Sequence, residues 1–415
     1  MADAPATFAS LSAIMKRVYG PRVEEQLNQA PFLYNLFDED PVADFMGEGW
    51  FFPAHVSYGA AVGAYAESDE VADSAVETYA LSRIDSKQNY GTIRFSGKSV
   101  AASRTNMQAF LRSKASEIEA KTKSLMSDMN RQCYGDSFGT MGIVLSDAAN
   151  TITFGPEVNM LWFPINKKID IFASDRTTKR NTAGIKQGRA VTAVNRLTRT
   201  ITYGGADLSA GIVATDIVFA EDQRFGLATA AEGKEINGLR FLLDDGTDSL
   251  ATCQNIDRSV AANAAWKSVR LFNAGVARPL ALDLIQSLVD EINIASGEKP
   301  DILLGGLGQQ RNYLNLLWYE VRYQPQQLKG GFQTLQYNDM DFMIDKDMLP
   351  ATLVALKKSR IRKYELQKLG LLDFAGVTAE RIPKQDNYEM LIAMYGNLGI
   401  TRPGAGGRLG DLIEP

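Results

Sequence analysis

Histidine and cysteine are the scarcest chemistry in this sequence. Among 415 residues there is one histidine and there are two cysteines. Histidine titrates nearest neutrality and performs most general acid–base work, so its near absence counts against an enzyme. His55 stands in the extended run Phe51-Phe52-Pro53-Ala54-His55-Val56, with no nucleophile close in sequence; a strand residue is expected. Cys133 and Cys253 lie too far apart for a zinc motif and are too few for a disulfide framework. A reducing, cytoplasmic place of synthesis fits them. No apolar run is long enough to span a bilayer, and Met1 to Phe8 lacks the basic-then-apolar pattern of a signal peptide. Basic excess is missing too: 44 Lys and Arg face 49 Asp and Glu, a net charge of −5. A protein whose main work is gripping nucleic acid usually carries the opposite balance. The densest cationic run, Lys357, Lys358, Arg360, Arg362 and Lys363, predicts a solvated strand-end face.

Phosphate and metal motifs fail on inspection. Gly306-Leu307-Gly308 mimics a dinucleotide fingerprint, but Arg311 stands where the third glycine belongs. Gly404-Ala405-Gly406-Gly407-Arg408 lacks the Lys-Ser or Lys-Thr pair of a phosphate loop. Asp244, Asp245 and Asp248 fall short of a calcium loop and predict a turn. There is no Gly-x-Ser-x-Gly elbow. No catalytic residue, cofactor or metal is expected.

What is present is 45% hydrophobic residues and enough chain for two or three cores. Phe8, Leu11, Met15 and Val18 predict a helix within Ala6 to Asn28, followed by the apolar cluster Phe32, Leu33, Leu36 and Phe37. Trp50-Phe51-Phe52-Pro53 opens a strand. A polar excursion with Glu67, Asp69, Glu70, Asp73 and Glu77 follows, and the strand Gly91 to Gly97 returns. Leu111, Ala115, Ile118, Thr122, Leu125, Met129 and Cys133 mark one face of the longest helix. Thr105 with Gln108 would cap it and Gly135 would end it. At roughly 29 residues it is about 43 Å long. Strands are expected at Met160–Phe163, Lys168–Ala173, Arg189–Asn195, Arg199–Tyr203 and Ile212–Phe219, a small barrel or sandwich. A helix should run from Pro279 to Ala295, with Pro279 in its first turn. Then come a strand at Asp301–Leu304 and a helix carrying Tyr313, Leu314, Leu317 and Trp318. Late strands are expected at Met340–Ile344, Thr352–Leu356, Val377–Ile382 and Glu389–Tyr395, before a loose Gly-rich tail from Pro403.

The order of these elements resembles the major capsid proteins of tailed bacteriophages, with the Hong Kong 97-type fold. The resemblance rests on Asn237-Gly238-Leu239 after the long helix, taken as a Gly-Leu-led strand. It rests also on the helix–strand–helix Leu280 to Trp318, and on Gly331-Phe332-Gln333-Thr334-Leu335 leading to Asp341-Phe342-Met343-Ile344-Asp345-Lys346-Asp347. It implies an α+β fold with an N-terminal arm (1–48), an E-loop (49–98), a peripheral domain with a long spine helix (99–139), an axial domain with linking strands (236–360), peripheral return strands (361–402) and a C-terminal tail (403–415). Residues 140–235 depart from the minimal pattern as an inserted small β domain.

The function so implied is a self-assembling shell of hexamers and pentamers, an icosahedral phage head enclosing double-stranded DNA. The shell is assembled in the host cytoplasm and found in the virion. Partners would be further copies of the chain, a separate scaffolding protein, a portal and a decoration protein, with non-specific DNA inside and no membrane. Glu67, Asp69, Glu70 and Asp73 would face Arg112, Lys114 and Lys121 of a neighbouring spine helix. Lys87 and Asn387 stand near the positions that some relatives cross-link. Glu389 lies nearer the expected asparagine, so no cross-link is expected. The rival readings are an encapsulin-like nanocompartment, a two-domain oxidoreductase built around Gly306, and a tail or tube protein.

Overall fold

Among the described residues a six-stranded closed barrel, a six-stranded sheet, a four-stranded sheet and two two-stranded hairpins make up an α+β chain. The computed structural model describes residues 32–40, 45–59, 62–70, 73, 76–98, 107–180, 187–205, 208, 211–223, 233–248, 251–318, 335–372 and 380–414. The expected helix within Ala6 to Asn28, the Thr105 cap, and residues 331–334 and 377–379 lie outside them.

A single turn, α1 (Leu33–Leu36), buries Leu33 and leads to buried Phe37. β1 (Trp50–Ser57) and β2 (Thr78–Ile84) pair antiparallel, from Trp50 opposite Ile84 to Ser57 opposite Thr78. The return strand of this hairpin is thus Thr78–Ile84. The expected one, Gly91 to Gly97, lies in β3 (Lys87–Ser96), which belongs to another sheet. β3 alternates with period two: Lys87, Asn89, Gly91 and Ile93 are buried, while Gln88, Tyr90, Thr92 and Arg94 are exposed.

The long helix α2 (Met107–Tyr134) covers the buried side of β3. Leu125, Met129 and Cys133 are buried on it at the expected spacing. Gly135 follows its last turn, donating its N–H to the Gln132 carbonyl at 2.9 Å.

The barrel runs β4 (Thr140–Ala148), β5 (Thr151–Phe154), β6 (Lys168–Phe172), β7 (Arg189–Asn195), β8 (Thr200–Tyr203) and β9 (Ile217–Ala220), closed in the order β4-β5-β8-β7-β6-β9. Val144, Ile152, Ile169, Ile171, Val191, Ile201 and Val218 fill it. β4 and β5 carried no recognisable turn signal. Their link is Ala149 and Asn150, both at positive φ, and alanine is an unusual occupant of that region. Met160–Phe163 is a correction: Met160–Trp162 forms a 3₁₀ turn instead of a strand. Asn159 accepts from the Leu161 N–H and donates to the carbonyls of Lys346 and Met348. Trp162 Nε1 donates to the Asp347 carbonyl at 3.0 Å. Side-chain capping and two tertiary anchors outweigh the apolar run's preference for extension.

Leu239–Leu242 is likewise a buried helical turn, α3, not a strand. Gly238 precedes it because a Cβ there would lie 2.4 Å from the Gln132 carbonyl oxygen. Short strands β10 (Thr252–Cys253) and β11 (Ile256–Asp257) form a tight hairpin, and β12 (Val269–Leu271) follows. Helix α4 (Leu282–Ser296) starts later than expected. Ala281 is its N-cap, so Pro279 lies outside its first turn, and Gly297 ends it at φ +68°. Then come β13 (Ile302–Gly305), α5 (Leu307–Trp318), β14 (Leu335–Tyr337), β15 (Met340–Ile344), β16 (Leu353–Leu356), β17 (Ile361–Leu371), β18 (Glu380–Arg381), β19 (Asn387–Ile400) and β20 (Gly406–Leu409).

The six-stranded sheet has the order β12-β20-β16-β13-β15-β14. Ile285, Leu288 and Ile292 of α4 pack on Leu303, Phe342, Leu353 and Leu409. The segment expected as a loose tail is therefore an interior strand, with all four residues of β20 buried. Its glycines serve close packing: a Cβ on Gly406 would lie 2.6 Å from Leu243, and one on Gly407 would lie 3.0 Å from Leu288. In the four-stranded sheet β19 is central, with β3 on one side and β17 and β18 on the other.

Candidate assembly surfaces

The β1–β2 hairpin is anchored at its base and bare beyond it. Ala54 and Val56 pack with Ile256 and Trp266, and the Trp266 indole donates to the Cys253 carbonyl. Further out, Tyr58, Val62 and Val76 are 86%, 90% and 88% exposed.

Glu67, Asp69, Glu70 and Asp73 are all exposed in the segment joining β1 to β2. Asp69 is tied locally, accepting from the Ala66 N–H at 2.8 Å. Lys121 is exposed on α2. The side chains of Arg112 and Lys114 lie outside the described part. His55 is a strand residue, as expected. Its Nε2 sits 2.7 Å from Glu77 Oε2, and its ring lies between Tyr58 and Tyr79. The hydrogen bond from His55 holds the Glu77 carboxyl below its ordinary range.

The cationic run near Lys357 is not a solvated face. Lys358 meets Asp38 at 3.2 Å, Arg362 meets Asp40 at 3.7 Å, and Lys363 lies over the Tyr34 ring. Glu39 forms a parallel bridge with Lys363. The arm segment 38–40 thus neutralises the start of β17. Lys357, Arg360 and Arg402 converge on Glu298. Neither grouping was legible locally, because each joins stretches far apart in sequence.

The rejected motifs have structural occupants. The start of α5 at Gly308 is covered by Glu414, whose carboxylate also accepts from Gln309 and the Ala351 N–H. The three aspartates form the expected turn only in part. Asp245 caps Thr247, but Asp244 pairs with Arg408 at 3.0 Å, and Asp248 pairs with Arg240 and Arg408 at 2.9 and 3.1 Å. Burial opposes the charge on Asp248, yet the two arginines hold its carboxyl well below the usual range. Lys87 is buried and donates to the Gly233 carbonyl at 2.7 Å. Asn387 lies at the far end of the same strand pair. No helix among the described residues is long and apolar enough to cross a membrane.

No protein-family model and no curated protein matches the sequence. The fold does have matches among solved structures. The cyanophage A-1(L) capsid asymmetric unit aligns with a TM-score of 0.61 at 10% identity, over 98% of this chain and 99% of that one. The capsid of the native GTA particle aligns with a TM-score of 0.51 at 10% identity, over 99% of each. At such identities the likeness is one of fold, and it spans the whole chain: this is an α+β phage-capsid fold.

Proposed function

We propose that the chain is a major capsid protein whose copies assemble as hexamers and pentamers into an icosahedral phage head enclosing double-stranded DNA. The observation that carries this reading is the end-to-end match to capsid subunits, without a large unmatched part on either side. On this reading the role is structural and non-catalytic. The bare hairpin supports the reading, because it offers apolar area that its own chain leaves uncovered.

On this reading 1–48 is the arm and 49–98 the E-loop, with α2 as the spine of the peripheral domain. The barrel within 140–235 is an inserted domain. The six-stranded sheet is the axial domain, to which 403–415 now belongs. The acidic residues Glu67, Asp69, Glu70 and Asp73 clasp a neighbour's Arg112, Lys114 and Lys121. Each exposed ion pair is worth about 0–1 kcal/mol, so strength comes from repetition. A scaffolding protein, a portal and a decoration protein complete the head, which is built in the host cytoplasm.

Negative-stain microscopy of the purified chain tests this: closed isometric particles are expected. Rings or filaments would point to a tube protein. Particles that hold an enzyme and no DNA would point to a nanocompartment.

A further inference from the structure

The four-stranded and six-stranded sheets are joined directly by two segments, residues 357–360 between β16 and β17 and residues 401–405 between β19 and β20. One carboxylate grips both. Glu298 follows Gly297 at the end of α4 and belongs to the six-stranded side. It accepts from Arg360 Nε at 3.0 Å and from Arg360 Nη2, a bidentate pairing with the first segment. It accepts from Arg402 Nη1 at 3.0 Å, in the second. Lys357 Nζ adds a third cation at 3.4 Å. Asp301, in the same turn, accepts from the Lys358 N–H at 2.8 Å. The segments also hold each other, Thr401 N–H donating to the Arg360 carbonyl at 2.9 Å.

We infer that Glu298 is a positioning residue that fixes the angle between the two sheets and, on the reading that the chain builds a shell, the curvature of that shell. Three cations around one carboxylate make the arrangement asymmetric. Removing the carboxylate does more than delete attraction; it leaves Lys357, Arg360 and Arg402 repelling across the junction. The backbone bonds and the apolar core that the sheets share, Leu304 and Leu356 with Ile361 and Leu398, keep both folded and attached while the range of their relative angle widens. Identical chains that must close a shell need that angle confined to a narrow range.

The test uses the full chain carrying spin labels on Ile294→Cys, exposed on α4, and Arg94→Cys, exposed on β3. The two native cysteines are buried. The distance distribution between the labels is measured by pulsed electron resonance, with particle diameters by electron microscopy. The parent and Glu298→Asp are expected to give one narrow distance peak. Glu298→Gln loses that peak at an unchanged circular dichroism spectrum, and its particles spread in diameter. Arg402→Gln frees only the second segment and broadens the peak less. Should Glu298→Gln fail to fold, the Arg402→Gln distribution decides alone. A Glu298→Gln or Arg402→Gln distribution superimposable on the parent's overturns the clamp. A parent that shows the narrow peak yet assembles into rings or filaments overturns the shell reading and the curvature claim, and leaves the angle claim standing.

Discussion

The hairpin β1–β2 and the sheet strand β20 are made of similar material and meet opposite fates. The strands of both mix small with apolar residues, and each carries one arginine, Arg83 and Arg408. β20 is enclosed between β12 and β16, and Leu409 is fully buried. The hairpin rests on the body at its base, where Trp50 and Ile84 pack on Tyr364 and where Phe52, Ala54 and Val56 pack on Ile256 and Trp266, while further out Tyr58, Val62 and Val76 stand in solvent. The enclosed strand serves the chain's own stability, whereas the outer hairpin, at Tyr58, Val62 and Val76, can be altered without reaching the core.

The two largest effects, of similar size, should come from the enclosed strand and from the buried ion network that its Arg408 joins. Leu409→Ala removes a fully buried side chain packed on Leu353 and α4, and should cost about 2–5 kcal/mol in denaturant melts. A loss under 1 kcal/mol would break the contrast at its strong end. Asp244→Ala strips Arg408 of a partner in an enclosed site and should cost about 3–5 kcal/mol, as breaking a buried pair usually does. Exchanging Glu67→Gln, Asp69→Asn, Glu70→Gln and Asp73→Asn together should leave stability within about 0.5 kcal/mol, since all four are exposed. Particle yield should nonetheless change, and an unchanged yield would remove these residues from the assembly surface. Smaller still is the pH response at Glu298, whose carboxyl the Arg360 hydrogen bond holds down at about 2. A depressed acid stabilises the fold above its unfolded pKa of about 4.3, and that contribution disappears as pH falls through about 2. The parent's melting temperature should thus drop more between pH 5 and 2 than that of Glu298→Gln. Finally, denaturing gels of particles should show no covalent ladder, because the Lys87 amine is buried and engaged.

Much of this contrast was legible in the residues themselves. Period and composition located β7 and β15 to the residue, and the helical stripe of Leu125, Met129 and Cys133 identified α2. The exposure of Glu67 to Asp73 also followed from local polarity. What local signals missed was decided by distant partners. Glycines at 406 and 407 signal looseness until Leu243 and Leu288 are seen against them. The cations at 357–363 look solvated until Asp38, Asp40 and Glu298 arrive from elsewhere in the chain. Contacts between separate copies have no local signature at all, so the hairpin's role was readable only through resemblance.

The position of β20 also has a consequence in time. Among the described residues β12 pairs with β20 alone, and β20 leaves the ribosome more than a hundred residues later. At about 5–20 residues per second that is a wait on the order of ten seconds. Until Gly406 to Leu409 emerge, Val269 to Leu271 have no β partner and Leu288 faces an open slot. A nascent chain therefore carries an unpaired β12 through about a third of its own synthesis. Any chain interrupted before residue 406 keeps that gap, with β12 unpaired and Leu288 uncovered.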